Sequence, residues 1–493
     1  MSSRSVVGHL NASVALVRRS LLQDDSLPFT DGLLSEHIEQ AFEAEGVSFG
    51  EPGDAIAKAG DEIVYTMGVT LWAMLSQAIF TGFQRSCRAA VQRVSVYFAL
   101  AGREVSSTNT GAYCRARAKV TEGVVRRLAE GVAERCEAAV PDEYRWHGFR
   151  IRVIDGTTFS MPDTPENQAE YPQSNSQEAG LGFPIMRAVA LTSLATGMIV
   201  ALATGPYSGK ETGETALFRT LFEQLRSGDL VLADRYFGGW FMLALLQTLG
   251  VEFVTRLHQF RSADFTQGKR LGKGDHVTTW PKPQRPDWLD KETYNRLPDQ
   301  LEVREIEVQV VSPGFRTRSL VVVTSLLDSR LYSKSEIATL YRRRWIVELE
   351  LRDIKSTMEL DVLRRLTPEA VKCELWTGLL AYNLVRQSML QSAQAGDVLP
   401  HQLSFTASLQ MLTNTWVLAA VPPMVTIGDN QRVIALRILN GHSQRVGNRP
   451  NRVEPRAVKR RSSPIALLTT LRDIARNKLV ESQKKLADYS QTT

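Results

Sequence analysis

FRIRVIDGTTF, residues 149–159, opens a run of strand-like segments whose order sets the fold class. PIMRAVALTSL (184–194) and GMIVALATG (197–205) follow, rich in β-branched and apolar residues and set off by Gly, Pro and Asn. TALFRTLFEQLR (215–226) then reads as a helix and DLVLADRYF (229–237) as a strand. GWFMLALLQTLG (239–250) reads as a second helix and VEFVTRLH (251–258) as a further strand. The order is β-β-β-α-β-α-β, a three-strand meander and then strands alternating with helices. An α/β layer on a mixed sheet is the expected outcome.

Downstream, residues 259–328 break this rhythm. They are first rich in Lys, Gly, Pro and Asp, then give REIEVQVVS and RSLVVVTSLL, which alternate like paired strands. The segment reads as a β-rich insertion. Residues 333–365 are strongly helical, opened by a capping box at Ser333 and Glu336. More helices follow through Ala420, and Pro464 opens a last one to about Ala487.

Upstream, apolar residues recur at helical spacing in Leu33, Ile38, Ala41 and Phe42, and again in Val91, Val94, Val96 and Leu100. Arg85, Arg88, Arg93, Arg103, Arg115, Arg117 and Lys119 give this region a basic cast. A helical DNA-binding module fits, although surface arginines on helices are common. Five regions are expected: a helical N-terminal DNA-binding domain (1–140), an α/β core in two parts (141–258 and 331–420), the β-rich insertion between them (259–330), and a basic arm with a C-terminal helix (421–493).

The chain's 493 residues exceed one compact core. With 43% hydrophobic and 23% charged residues, disorder over most of it is excluded. Cys87, Cys114, Cys136 and Cys373 lie far apart with no paired spacing to seat zinc, which suits a reducing cytoplasm. The opening MSSRSVVGHL lacks a basic start and an apolar run, so no secretion leader is expected. The longest uncharged stretch, residues 63–84, carries Ser, Gln and Thr and reads as a buried helix, not a membrane span.

Net charge is +6, and residues 442–461 account for all of it. They hold Arg445, Arg449, Arg452, Arg456, Lys459, Arg460 and Arg461 against Glu454 alone. Gly447, Pro450 and Pro455 keep this tract extended. Spaced arginines on an extended arm suit a phosphate backbone, with a solvated linker as the bland alternative.

Asp155 ends one hydrophobic strand and Asp234 another, at the carboxyl edge where α/β sheets place their sites. Aspartate there is also a common turn-former. The helix from Ser333 offers a third acid. At about 100° per residue, Tyr341, Arg344, Glu348 and Lys355 fall on one stripe within about 60°. Glu350 lies on the opposite face and is expected to be dispensable for catalysis. Trp345, beside the stripe, reads as packing. The plain reading of the stripe is a solvated ladder, with Arg344 and Glu348 four apart. Together, the three acids can hold two divalent cations, Mg2+ or Mn2+, for phosphodiester displacement. His258 reads as structural, and Lys210, Glu211 and Glu214 as solvated loop charge.

Tyr341-x2-Arg344-x3-Glu348-x6-Lys355 resembles the Tyr-Arg-Glu-Lys signature of the insertion-sequence-four family of bacterial DDE transposases. DGTTF around Asp155 and ADRYF around Asp234 are similar to that family's two aspartate motifs, and the basic arm to its C-terminal tract. The resemblance implies an RNase H-like core with Asp155, Asp234 and Glu348 as catalytic, metal-holding residues. It implies that Tyr341 and Arg344 grip phosphates near the terminal nucleotides and that Lys355 contacts the transferred end. It implies cut-and-paste movement through a DNA hairpin, by a homodimer on paired terminal repeats that then joins target DNA, in the cytoplasm at the nucleoid. An aromatic residue of the insertion would stack on a flipped base, and Trp280 and Trp288 lie in that segment.

A DNA-binding protein that keeps the fold without cutting, a repressor or architectural factor, is the alternative. The presence of all three acids with Tyr341, Arg344 and Lys355 speaks against it. A glycosidase-like carboxylate pair is a third reading, but a neutral sugar needs neither a basic arm nor a cation-lined helix.

Overall fold

In the computed structural model, which describes residues 3–23, 32–47, 64–103, 109–176, 178, 180–309, 319–421 and 470–491, nine strands join in one sheet. They are β1 (Arg150–Ser160), β2 (Ile185–Ser193), β3 (Ile199–Pro206), β4 (Asp229–Ala233), β5 (Glu252–Arg256), β6 (Lys269–Gly272), β7 (Asp275–Pro281), β8 (Gln300–Gln309) and β9 (Ser319–Thr324). Their spatial order is β3-β2-β1-β4-β5-β9-β8-β7-β6. The meander β1–β3 pairs antiparallel, while β4 and β5 add in parallel to β1. Short turns permit the first arrangement, and crossover helices the second. The mixed α/β layer is as expected.

The segment after β5 does not form a sheet of its own. β9 pairs antiparallel with β5, and β8, β7 and β6 continue outward from it. An open β5 edge would leave a row of unpaired amides and carbonyls, and β9 covers it.

Among the described residues six helices precede the sheet: α1 (Ser3–Ser20), α2 (Ser35–Glu43), α3 (Met67–Ile79), α4 (Cys87–Leu100), α5 (Thr110–Ala118) and α6 (Glu122–Ala138). They share one hydrophobic core with the late helices and one face of the sheet rather than standing apart. Within the sheet region lie α7 (Pro165–Glu170), α8 (Glu214–Thr220), α9 (Trp240–Thr248) and α10 (Lys291–Arg296). After it come α11 (Lys334–Arg343), α12 (Trp345–Arg352), α13 (Pro368–Ala395), α14 (Phe405–Ala420) and α15 (Arg472–Gln491). Trp72 of α3 donates to Ser20, whose hydroxyl donates to the Trp416 carbonyl of α14. Asn383 of α13 bonds Ala129 of α6 and both main-chain groups of Ile199 in β3.

Some helices differ from expectation. α8 is short, followed by a single 3-10 turn at Phe222–Gln224. The helix expected over 333–365 is divided. After α12 the chain widens into a π turn, Asp353–Thr357, in which the Met358 amide reaches back five residues to the Asp353 carbonyl. It stops at Glu359, whose φ of 54° lies in the left-handed region. α3 is buried, as expected of the uncharged stretch, and no helix among the described residues is long and apolar enough to cross a membrane. Of the upstream arginines, Arg85 and Arg93 are buried and hydrogen-bonded within the protein. They are structural, not part of a basic surface.

Candidate active site

β1 continues to Ser160, so Asp155 sits within the strand and not at its end. What ends there is the parallel ladder with β4, whose last pair is Val153 with Leu232. The same register, continued two residues, sets Asp155 beside Asp234. Side-chain alternation fixes the face. Ile151, Val153, Leu230 and Leu232 enter one core, while Ile154, Val231 and Ala233 enter the other. Asp155 and Asp234 therefore share the first face, where α12 packs against β1 and carries Glu348.

The charges of these groups bear on one another. The Asp155 carboxyl is pushed up to about 6, first by burial and then by the negative charges of Glu348 and Asp234. The Gly156 amide, donating at 2.9 Å, and the Arg344 guanidinium oppose that shift. Asp234 caps the turn after β4, accepting from the Tyr236 amide at 2.7 Å. Its carbonyl accepts from Thr255 of β5 at 2.8 Å.

Arg344, at the junction of α11 and α12, donates to Glu348 at 2.6 Å. Tyr341 is buried, which raises its phenol above the ordinary value. Arg344, by charge and by hydrogen bond, and Arg256 of β5 lower it, while Asp234 raises it. Tyr341, Arg344, Glu348, Asp155 and Asp234 thus form one group. Lys355 does not join it. The π turn carries it off the straight-helix stripe, and the charge that acts on it is Asp361.

The donor set suits a hard divalent cation: three carboxylates in mutual conflict at a partly buried site gain from a shared positive charge. Among the described residues no three His, Cys, Asp or Glu side chains stand close enough to enclose a single ion. Glu348 is turned onto Arg344, so an ion would compete with that guanidinium for the carboxylate.

Two nearby groups were missed by the sequence reading. Arg256 is one. The other is Glu214 at the start of α8, taken for solvated loop charge. A side chain at Gly156 would meet the Glu214 carboxylate at 2.3 Å, and the two acids Glu214 and Asp234 act on each other. The available signal was the glycine after Asp155, since glycine within a strand marks close approach. Lys210 and Glu211 are exposed, Glu211 pairing with Arg219.

Burial and packing bear on the other residues singled out in the sequence. Glu350 is buried and lies 3.8 Å from Arg386, so its removal is not neutral for the fold. Trp345 is 52% exposed and packs little. Trp280 is core, donating to Glu305 at 2.9 Å, and Trp288 lies under Arg219 and against Phe241. Trp280 is thus buried in the sheet, and Trp288, in the loop before α10, is half-buried with one face under Arg219. His258 accepts from the Phe260 amide, as a structural residue would. Arg445, Arg449, Arg452, Arg456, Lys459, Arg460 and Arg461 lie outside the described residues, as does Pro464.

Residues 146–384 match the family model described as "Transposase DDE domain". The transposase InsG for insertion sequence element IS4 of Escherichia coli (strain K12) is 31% identical over 360 residues, 71% of this chain and 76% of its own. A transposase for insertion sequence element IS421 of Escherichia coli is 38% identical over 66 residues, 13% of this chain and 18% of its own. Among solved structures, a piggyBac transposase synaptic complex with hairpin DNA aligns over 82% of each chain, at TM-score 0.42 and 10% identity. That likeness is too distant to carry an argument.

Proposed function

This chain belongs to the DDE transposases of the IS4 type, and on that premise we propose that it binds the ends of its own insertion element and cuts and rejoins DNA there. Asp155, Asp234 and Glu348 are the proposed catalytic acids. One observation carries the assignment: three acids from distant parts of the chain, with Arg344, act on one another at Asp155. The meander followed by two parallel strands is read as an RNase H-like core. Residues 259–330 are read as its insertion, and 1–140 as the helical DNA-binding part.

Asp155, Asp234 and Glu348 would hold two divalent cations, Mg2+ or Mn2+, which when bound activate an attacking oxygen and stabilise a departing one. Arg344 neutralises a non-bridging phosphate oxygen once Glu348 releases it, and its planar fork suits that geometry. The buried Tyr341 hydroxyl orients Arg344 and excludes water from its back. Burial raises the Asp155 carboxyl, and a bound cation would favour its ionised form. Lys355 meets the DNA from the π turn, further along the transferred end. Arg445, Arg449, Arg452, Arg456, Lys459, Arg460 and Arg461 track the backbone, and their neutralisation flattens the salt dependence of binding. A homodimer supplies two sites for paired ends and then for target DNA, in the cytoplasm at the nucleoid. The hairpin step rests on the family alone, since Trp280 and Trp288 are both packed.

The test uses the full chain with a labelled duplex carrying the terminal repeat of its element, with Mg2+ or with chelator. Cutting at the element end that needs the metal and disappears in Glu348→Ala is the expected result. Specific binding without cutting in Mg2+ or Mn2+ overturns the enzymatic assignment in favour of a silent DNA-binding protein.

A further inference from the structure

Away from the three acids, the loop between α3 and α4 and the segment after the π turn enclose a cavity of about 190 Å3. Four guanidiniums line it, those of Arg85, Arg117, Arg364 and Arg365, against the single carboxylate of Glu374. Arginine keeps its charge in proteins, so this surplus calls for an anion.

The four are not equally committed. Arg85 donates to the main-chain oxygens of Met358 and Glu359 and lies 3.8 Å from Glu374. Arg364 reaches the Gly82 carbonyl at 3.4 Å and Glu359 at 3.8 Å. Arg117 donates to Gln77 and Cys87, yet its Nε is buried without a partner among the described residues. The Arg365 amide donates to Glu374 and its carbonyl accepts from Asn167, but its guanidinium makes no hydrogen bond among the described residues. Burial, and then the charge of Arg117, hold that guanidinium below its ordinary value.

The cavity is joined to the candidate active site by one strand. Ser160, at the far end of β1, pairs with Val362 through main-chain bonds to Asp361 and Leu363. From Asp155 to Ser160 the strand covers roughly 17 Å, at about 3.3 Å per residue. Phe83, 83% exposed, stands on the same loop as Arg85.

We propose that this cavity takes a backbone phosphate of the DNA substrate. The proposal rests on the reading of the chain as a DNA-cutting transposase. It assigns Arg117 and Arg365 to the phosphate, and Arg85 and Arg364 to the walls that hold the two loops together.

The experiment measures binding of the full chain to a fluorescent 30-base-pair duplex (about three helical turns) across a salt series. Arg365→Gln leaves no protein group unpaired, so its melting temperature stays at the wild-type value. Its binding weakens to a similar degree on any sequence, and the slope of log affinity against log salt falls by about 1. Arg365→Lys restores most of that slope. An unchanged slope in a variant that melts like wild type overturns the proposal. So does a result in which inorganic phosphate raises the melting temperature of wild type but not of Arg365→Gln while the DNA slope is unaltered, since the site then serves a free anion. A wild-type chain that binds no duplex overturns the functional reading itself, and this proposal with it.

Discussion

Glu348 and Glu350 stand two residues apart on α12, and each faces an arginine, but their partners differ in kind. Glu348 takes Arg344 from its own stretch of chain, at 2.6 Å, with both side chains partly open to solvent. Glu350 is 3% exposed and takes Arg386 from α13, at 3.8 Å. Arg386 also lies 4.0 Å from Asp353 and donates to the Tyr382 hydroxyl, which donates to the Gly197 carbonyl at 2.8 Å. A local, half-open pair can be exchanged for a cation or a phosphate at little cost. A buried pair drawn from two helices cannot be broken without stranding charge. The same helix thus carries one carboxylate in a local, half-open pair, the proposed catalytic one, and the next in a buried pair that ties α12 to α13.

The comparison breaks most sharply on activity. Glu348→Ala should lower strand cleavage at least about a thousandfold, roughly 4 kcal/mol of barrier, while its unfolding transition stays near that of wild type. A gel assay beside thermal melting reads both, and a large drop in melting temperature would show that Glu348 is structural. Arg386→Leu should do the reverse. It strands Glu350 and Asp353, costing about 3–5 kcal/mol, which denaturant unfolding would record. Unchanged stability there would remove that tie from the account.

Titration sharpens the contrast. Burial, and next to it Asp353, push Glu350 up to about 7 against the pull of Arg386, and Asp155 rises to about 6. Both folded values lie above the unfolded ones. Each group's contribution is therefore fully present below its unfolded value and is lost as pH rises, through about 7 for Glu350 and about 6 for Asp155. In chelated protein, Asp155→Asn should gain about 1–2 kcal/mol above pH 6 and nothing near pH 3. Glu350→Gln should flatten the fall between about pH 4.5 and 7. Stability profiles that rise over this range would refute both assignments. The smallest effect is expected at Trp345, where alanine should change stability by no more than about 0.5 kcal/mol. A larger loss of DNA affinity in that variant would mark the exposed ring as a substrate contact.

Much of this was legible in the chain. Period-two runs and helical spacing at 149–258 led to the meander and the alternating strands, because alternation and the 3.6-residue turn are local properties. The acids stood out because aspartate on apolar strands, and glutamate on a stripe of cations, interrupt those periods. The stripe placed Lys355 by a straight-helix wheel, which has no place for a π turn. Arg85 and Arg93 looked like surface charge because nothing in α4 or its approach reveals that their partners lie across a loop or on another element.

What the sequence determined by itself was the element order, the kinds of residue at the site and the family to which they belong. Tertiary structure alone decided that the strands after β5 extend the same sheet, that Glu214 closes over Gly156, and that Glu350 is buried against Arg386 while Glu348 stays half-open beside Arg344. Those outcomes depend on register and on pairs drawn from separate helices and strands. Burial turns such pairs from ornaments of the surface into constraints, because a charge out of water must find its partner wherever the fold has placed it.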